Sequence, residues 1–343
     1  MSTLTDYSPN GPGMKNNNFI GLPFTKSNAD LIFLPVPWDV TTSYSDGTSL
    51  GPQNLLNASY QLDLMNLQYP NAWKKGLFFD KISKDIFQRS QKWRKKASQY
   101  IQQLESGQEI NAEMNDLVDQ INQESQYLNE WVYTKSKKYL DQDKQVILIG
   151  GDHSTPLGYI KALGEKHGDF GILQIDAHCD LRKAYENFTY SHASIMYNVL
   201  EENPQVKKLV QVGIRDFCPE EYSYIQNNAE RIHSYYAENI SKAMFHGESW
   251  NSICDYIVSK LPPKVYISFD IDGLDPSLCP HTGTPVPGGL QYYQATYLID
   301  KLQEQGRTII GADLCEVAGD PHEYDGSVGS RLAYHMACNM LGE

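Results

Sequence analysis

Short apolar runs spaced by helix-length stretches constrain this chain more than any other feature. Leu31–Val36, Val146–Ile149, Gly171–Ile175, Leu209–Ile214, Val265–Phe269 and Thr308–Ile310 are rich in β-branched and aliphatic residues. Most of them run directly into Gly, Asp or Pro. Between them lie Leu157–His167, Ser191–Glu202 and Leu290–Gln305, each long enough for a helix. Strands that are apolar throughout are buried on both faces, which calls for a mostly parallel sheet covered by helices. In such sheets ligands bind at the carboxyl ends of the strands. One segment breaks the alternation: Asp80 to Tyr139 has no proline and a single glycine, Gly107. Its spacing of Ile86, Trp93, Tyr100, Leu117, Ile121, Leu128 and Val132 predicts two or more helices hinged near Ser106-Gly107. A helical insert is therefore expected at about 81–140, as an oligomer contact, a lid or a plain surface pair.

Charge removes some classes of partner. The 42 Asp and Glu outnumber the 29 Lys and Arg, for a net charge of −13. That balance argues against a nucleic-acid or anionic-membrane surface, each of which needs a clustered positive field. No apolar run approaches bilayer length, and the polar stretch Met1–Asn18 lacks the apolar core of a signal peptide. The six cysteines are scattered without a C-x-x-C pair, the pattern of reduced thiols, so a cytoplasmic protein is expected.

Three of the apolar runs end in unusual chemistry. Val146–Ile149 leads into Gly150-Gly151-Asp152-His153-Ser154, and Gly171–Ile175 into Asp176-Ala177-His178-Cys179-Asp180. Val265–Phe269 leads into Asp270-Ile271-Asp272-Gly273-Leu274-Asp275-Pro276. Side chains of an extended chain alternate faces, so Asp176, His178 and Asp180 should share one face, as should Asp270 and Asp272. Carboxylates gathered at the buried end of a sheet repel one another and resist desolvation. Two divalent cations would balance the four charges of Asp176, Asp180, Asp270 and Asp272, with His153 and His178 as neutral nitrogen ligands. Mixed oxygen and imidazole donors suit Mn, Ni, Co or Zn.

These segments resemble the signature segments of the ureohydrolase family: arginases, agmatinases, formimidoylglutamases and guanidine hydrolases. Also similar are Pro37-Trp38-Asp39, Gly51-Pro52, Gly213-Ile214-Arg215, Gly283-Thr284-Pro285, Pro287-Gly288-Gly289 and Asp313 with Glu316. The resemblance runs from about Leu31 to the C-terminus, leaving 1–30 as an N-terminal extension before a single domain, 31–343. It implies a three-layer α/β/α fold and two divalent ions, manganese first and nickel as the alternative, sharing a bridging hydroxide. One ion would take His153, Asp176, Asp180 and Asp270; the other would take His178, Asp176, Asp270 and Asp272. Besides the ligand Asp180, the implied catalytic residues are Glu316, which would hold the guanidinium, and His192, which would shuttle protons near the leaving group.

The implied reaction is hydrolysis of a small cationic guanidino substrate to urea and an amine, by a homo-oligomer of trimeric or hexameric form. The loop Leu181–Tyr190 is closest to the agmatinase branch. Arg182 and Lys183 would suit a carboxylate tail such as that of formimidoylglutamate. Trp38, Tyr44, Tyr185, Phe188 and Tyr190 would suit a pocket closed around free guanidine, a reading that also favours nickel. A single-zinc deacetylase needs only one D-x-H…D set, and the second set here argues against it. A degenerate relative that only binds metal would lack a ligand, Glu316 or His192, and none is missing.

Overall fold

The computed structural model describes residues 7–11, 13–319 and 324–342. Eight strands form one sheet: β1 (Leu31–Pro35), β2 (Leu77–Phe79), β3 (Gln145–Ile149), β4 (Phe170–Ile175), β5 (Val206–Ile214), β6 (Ile232–Tyr236), β7 (Lys264–Asp270) and β8 (Thr308–Cys315). Their order is β2-β1-β3-β8-β7-β4-β5-β6, and every neighbouring pair is parallel. The central strands are buried almost end to end, as their unbroken apolar character demands. Helices cover the sheet in the three-layer arrangement. They are α1 (Gly51–Ser59), α2 (Lys84–Glu105), α3 (Ala112–Leu140), α4 (Leu157–His167), α5 (Ile195–Glu202), α6 (Pro219–Asn227), α7 (Ala237–Phe245), α8 (Trp250–Val258), α9 (Tyr292–Glu304) and α10 (Tyr324–Leu341).

The strand order positions the site. β3, β8, β7 and β4 lie side by side in mid-sheet, with Ile149 level with Leu314, Asp270 with Cys315, and Ile175 with Phe269. The chain therefore leaves all four strands at one height, and the segments that follow them converge at the carboxyl rim.

The proline-free segment folds as the long helices α2 and α3. Ser83 and Asn111 cap their N-termini by accepting from the Ile86 and Met114 N–H groups, and Gly107 turns the chain between them at φ +73°. α3 packs on α4 at Gly158, where a β-carbon would stand 2.0 Å from the Asn129 carbonyl oxygen. Gly158→Ala is expected to push the two helices apart and cost about 3 kcal/mol, read as a lowered urea midpoint.

Within 1–30, Asn18 reaches the edge strand: its side chain donates to the Leu77 carbonyl (3.1 Å) and accepts from the Phe79 N–H (2.7 Å). Those bonds cover polar groups that an edge strand would otherwise leave open to pairing. Among the described residues no helix is long and apolar enough to cross a membrane.

Candidate metal centre

His153 arrives on a tight turn after β3. Gly151 lies so close to the chain after β1 that a β-carbon would stand 1.8 Å from the Trp38 carbonyl oxygen. Asp152 N–H donates to that same oxygen at 2.7 Å. The turn therefore tolerates only glycine there, and it delivers the next imidazole to the rim of the sheet.

The His153 Nδ1 atom is 3.0 Å from Asp176 Oδ2, 3.1 Å from Asp180 Oδ2 and 3.3 Å from Asp270 Oδ2. It is buried and makes no properly aligned hydrogen bond. A nitrogen lone pair and three carboxylate oxygens facing one point form a donor set for a cation. His178 Nδ1 makes the second set, 3.1 Å from Asp272 Oδ2 and 3.6 Å from Asp176 Oδ1. Asp176 thus turns one oxygen to each histidine. It is the carboxylate common to two groups with ligand spacing, His153/Asp176/Asp270 and Asp176/His178/Asp272. Asp270, expected to serve both, falls in the first of these groups, and Asp180 joins through its contact with His153.

The carboxylates do not converge by simple strand alternation. Asp270 ends β7 and caps a single 3-10 turn, Ile271–Gly273, accepting from the Asp272 N–H at 2.8 Å. That turn, rather than a pleat, swings Asp272 inward, where it also accepts from the Ala177 N–H at 3.0 Å. Asp180 sits at φ +54° and Glu316 at φ +61°, a left-handed backbone that non-glycine residues seldom adopt. Such strain persists where surrounding structure enforces it, and it collects at functional sites. Burial pushes the Asp180 carboxyl up to about 7, reinforced by the neighbouring Asp176. Cations would reverse that penalty.

Two residues behind His153 carry no assigned role in the sequence reading. Its Nε2 lies 2.9 Å from the Ser268 hydroxyl, which donates to Asp313 Oδ2 at 2.9 Å. Asp313 also accepts from the Tyr266 hydroxyl (2.5 Å) and the Phe269 N–H (3.3 Å). This chain places the proton on Nε2 and leaves Nδ1 free as a ligand. His153, Asp313 and Cys315 also have ligand-like spacing. Burial, however, pushes the Cys315 thiol well up, and Asp313 is already saturated with donors, so this side of the ring is a support. A lone serine and a lone aspartate inside the apolar runs of β7 and β8 were the available signal. Ser268→Ala is expected to weaken metal affinity about 10- to 100-fold with the fold intact, measured by metal titration of chelator-stripped protein.

A cavity of about 410 Å³ opens beside the donor groups and is lined by His178, Asp180 and His192, together with Tyr44, Arg182, Tyr185, Asp216, Glu221 and Thr284. His192 opens a 3-10 turn before α5, and its N–H donates to the Thr41 hydroxyl at 3.3 Å. Burial, helped by His178, pushes its imidazole down to about 3. At neutral pH it is therefore uncharged.

Glu316 does not line this cavity; a β-carbon on Gly283 would stand 3.2 Å from its Oε2. Its Oε1 accepts from the His153 N–H at 3.0 Å, while Oε2 is buried without a partner. Burial, with Asp152 nearby, pushes this carboxyl well up. Of the five aromatics expected around a small closed pocket, Tyr44 and Tyr185 line the cavity. Trp38 and Phe188 are fully buried in the core, Phe188 against the Tyr100 ring, and Tyr190 packs against that core. Arg182 stacks over Tyr185 at 4.6 Å and lies 3.8 Å from Glu221, so its charge is already matched.

Comparison with known proteins agrees with this geometry. The chain is 27% identical over 310 residues to N(1)-aminopropylagmatine ureohydrolase of Thermus thermophilus, covering 90% of this chain and 89% of that one. It is 28% identical over 301 residues to the agmatinase of Blochmanniella floridana, covering 86% and 82%. The fold superposes on the solved structure of proclavaminate amidino hydrolase from Streptomyces clavuligerus with a TM-score of 0.71, at 22% identity, covering 94% and 96%. The arginase family model matches residues 29–342. The chain therefore belongs to the arginase family, enzymes that hydrolyse C–N bonds of guanidino compounds.

Proposed function

We propose that the chain hydrolyses an agmatine-like guanidino compound to urea and an amine at a centre of two divalent ions. The carrying observation is Asp176, whose two oxygens face two different histidines, each with its own further carboxylates. His153, Asp176, Asp180 and Asp270 would hold one ion, and His178, Asp176, Asp270 and Asp272 the other. Manganese fits this oxygen-rich donor set, with nickel the second candidate. Bound ions of this kind lower the pKa of coordinated water and so supply a nucleophile at neutral pH.

The protein's own groups do the rest. The unpartnered oxygen of Glu316 would accept N–H donors of a guanidinium, a planar fork that suits a carboxylate, once the substrate's head reached past the cavity lining to it. His192, neutral and on the cavity wall, accepts a proton as water adds and returns one to the departing nitrogen. Water adds at the guanidinium carbon, the bond from that carbon to the substituted nitrogen breaks, and urea and the protonated amine leave.

Charge on the cavity wall supports a substrate with a basic tail. Asp216 stands on it, while Tyr185 and Glu221, which also accepts from the Leu181 and Cys218 N–H groups, engage the guanidinium of Arg182. An amine is therefore favoured over a carboxylate at the far end of the cavity. Two relatives carry names of the same kind, an agmatinase and an aminopropylagmatine ureohydrolase. The test is urea release from agmatine, N(1)-aminopropylagmatine, guanidinobutyrate, arginine and free guanidine, with Mn or Ni supplied separately. The highest kcat/KM is expected for a substrate with a terminal amine. A clear preference for guanidinobutyrate or guanidine would contradict the substrate assignment.

A further inference from the structure

The loop Leu181–Tyr190 carries Arg182 and Tyr185 to the cavity wall, and its tip turns sharply over Tyr185-Glu186-Asn187-Phe188. The Phe188 N–H donates to the Tyr185 carbonyl at 2.9 Å, and the two central residues are both left-handed, Glu186 at φ +51° and Asn187 at φ +65°. Asparagine tolerates that region; glutamate does so at a cost, and no glycine relieves the turn. A tip of this kind needs outside support. It comes from the helical insert. The Asn187 side chain donates to the Tyr100 hydroxyl of α2 at 2.6 Å, and Phe188 packs edge-on against the Tyr100 ring at 5.3 Å. From α3, the Asn122 side chain accepts from the Thr189 N–H at 2.9 Å. Both Tyr100 and Phe188 are fully buried, so the attachment is packed as well as hydrogen-bonded. From the same loop, Tyr185 sets its ring edge to His192, centroids 6.2 Å apart.

We propose that the α2–α3 pair shapes the substrate pocket, with Tyr100 and Asn122 as positioning residues that hold the Leu181–Tyr190 loop through Asn187 and Thr189. Neither residue lines the cavity. Their effect passes through the loop, so it falls on substrate binding and selectivity rather than on the ions. The kinetic part rests on the guanidino hydrolysis proposed above; the structural part does not.

The test uses Tyr100→Phe, which keeps the ring and removes one hydroxyl, together with Asn122→Ala and Asn187→Ala. Losing one such hydrogen bond is worth about fivefold. Tyr100→Phe is expected to raise KM for the best guanidino substrate about fivefold, with kcat within twofold and metal content unchanged. Tyr100→Phe combined with Asn187→Ala should be no worse than Asn187→Ala alone, and Asn122→Ala should raise KM in the same direction. Backbone hydrogen exchange across residues 183–190 should speed up in Tyr100→Phe, while peptides from β4 keep their rates. Unchanged loop exchange, or a uniform speeding across the fold, would overturn the proposal. So would unchanged KM in a wild-type enzyme that does release urea. If the wild-type protein released urea from no guanidino compound, the functional reading would fail, and the exchange result would decide the role of the helices by itself.

Discussion

Asp176→Ala is expected to strip both ions and to lower turnover by about 10⁴-fold, close to 5.5 kcal/mol of barrier. The reason is geometric: one oxygen of Asp176 serves the His153 group and the other the His178 group, so a single substitution opens both. Stability should fall too, and by less once metal is absent. With chelator present, wild-type protein must bury Asp176, Asp180, Asp270 and Asp272 with only His153 and His178, whose imidazoles these carboxylates hold well up despite burial, as counter-charge. Burial acts against the Asp176 carboxylate, but His153 and His178 still hold it well below the usual range, so the metal-free variant should melt somewhat lower than metal-free wild type. With Mn present the gap should widen, since only the wild type gains the binding free energy. Metal analysis and thermal melts with and without chelator check both halves.

His192→Ala is expected to keep both ions and lose about 10²- to 10³-fold in kcat, the range for removing a positioned proton carrier. His192 takes no part in the donor groups around His153 and His178; it faces them from the cavity wall. Its imidazole, pushed down to about 3, is already neutral at working pH. Loss of metal in His192→Ala would contradict this assignment, as would an unchanged kcat.

How much of this was legible in the sequence depended on whether a feature was local. Six central and flanking strands announce themselves as continuous apolar runs. β2 and β6 do not: β2 is only Leu77-Phe78-Phe79, and β6 is Ile232-His233-Ser234-Tyr235-Tyr236, mixed in character and mostly half-exposed at the sheet edge. The two helices of the insert were readable because proline is absent and Gly107 breaks the periodicity where the chain turns.

At the site, the grouping of carboxylates and histidines followed from their places at strand ends, but the way they converge did not. Period-two alternation puts Asp270 and Asp272 on one face, whereas a capped 3-10 turn brings them together. The left-handed backbone of Asp180 and Glu316 depends on contacts from distant segments, such as the Glu316 N–H donating to the Gly151 carbonyl at 2.7 Å. Long-range packing of that sort leaves no local trace. Ser268 and Asp313 left one, as isolated polar residues in buried strands, and their role became clear only when β7 and β8 were seen side by side. The aromatic residues illustrate the opposite error. Trp38 and Phe188 sit in segments next to the site, yet their side chains belong to the core.

A two-ion centre that hydrolyses guanidino compounds can be tested in a single titration. Chelator-stripped protein is loaded with Mn, and in parallel with Ni, while bound metal per chain and urea released from agmatine and the other guanidino compounds are followed together. Urea release that rises with loading and levels off at two ions per chain is the predicted result. Saturation at one ion, or no urea from any guanidino compound with either metal, would contradict it.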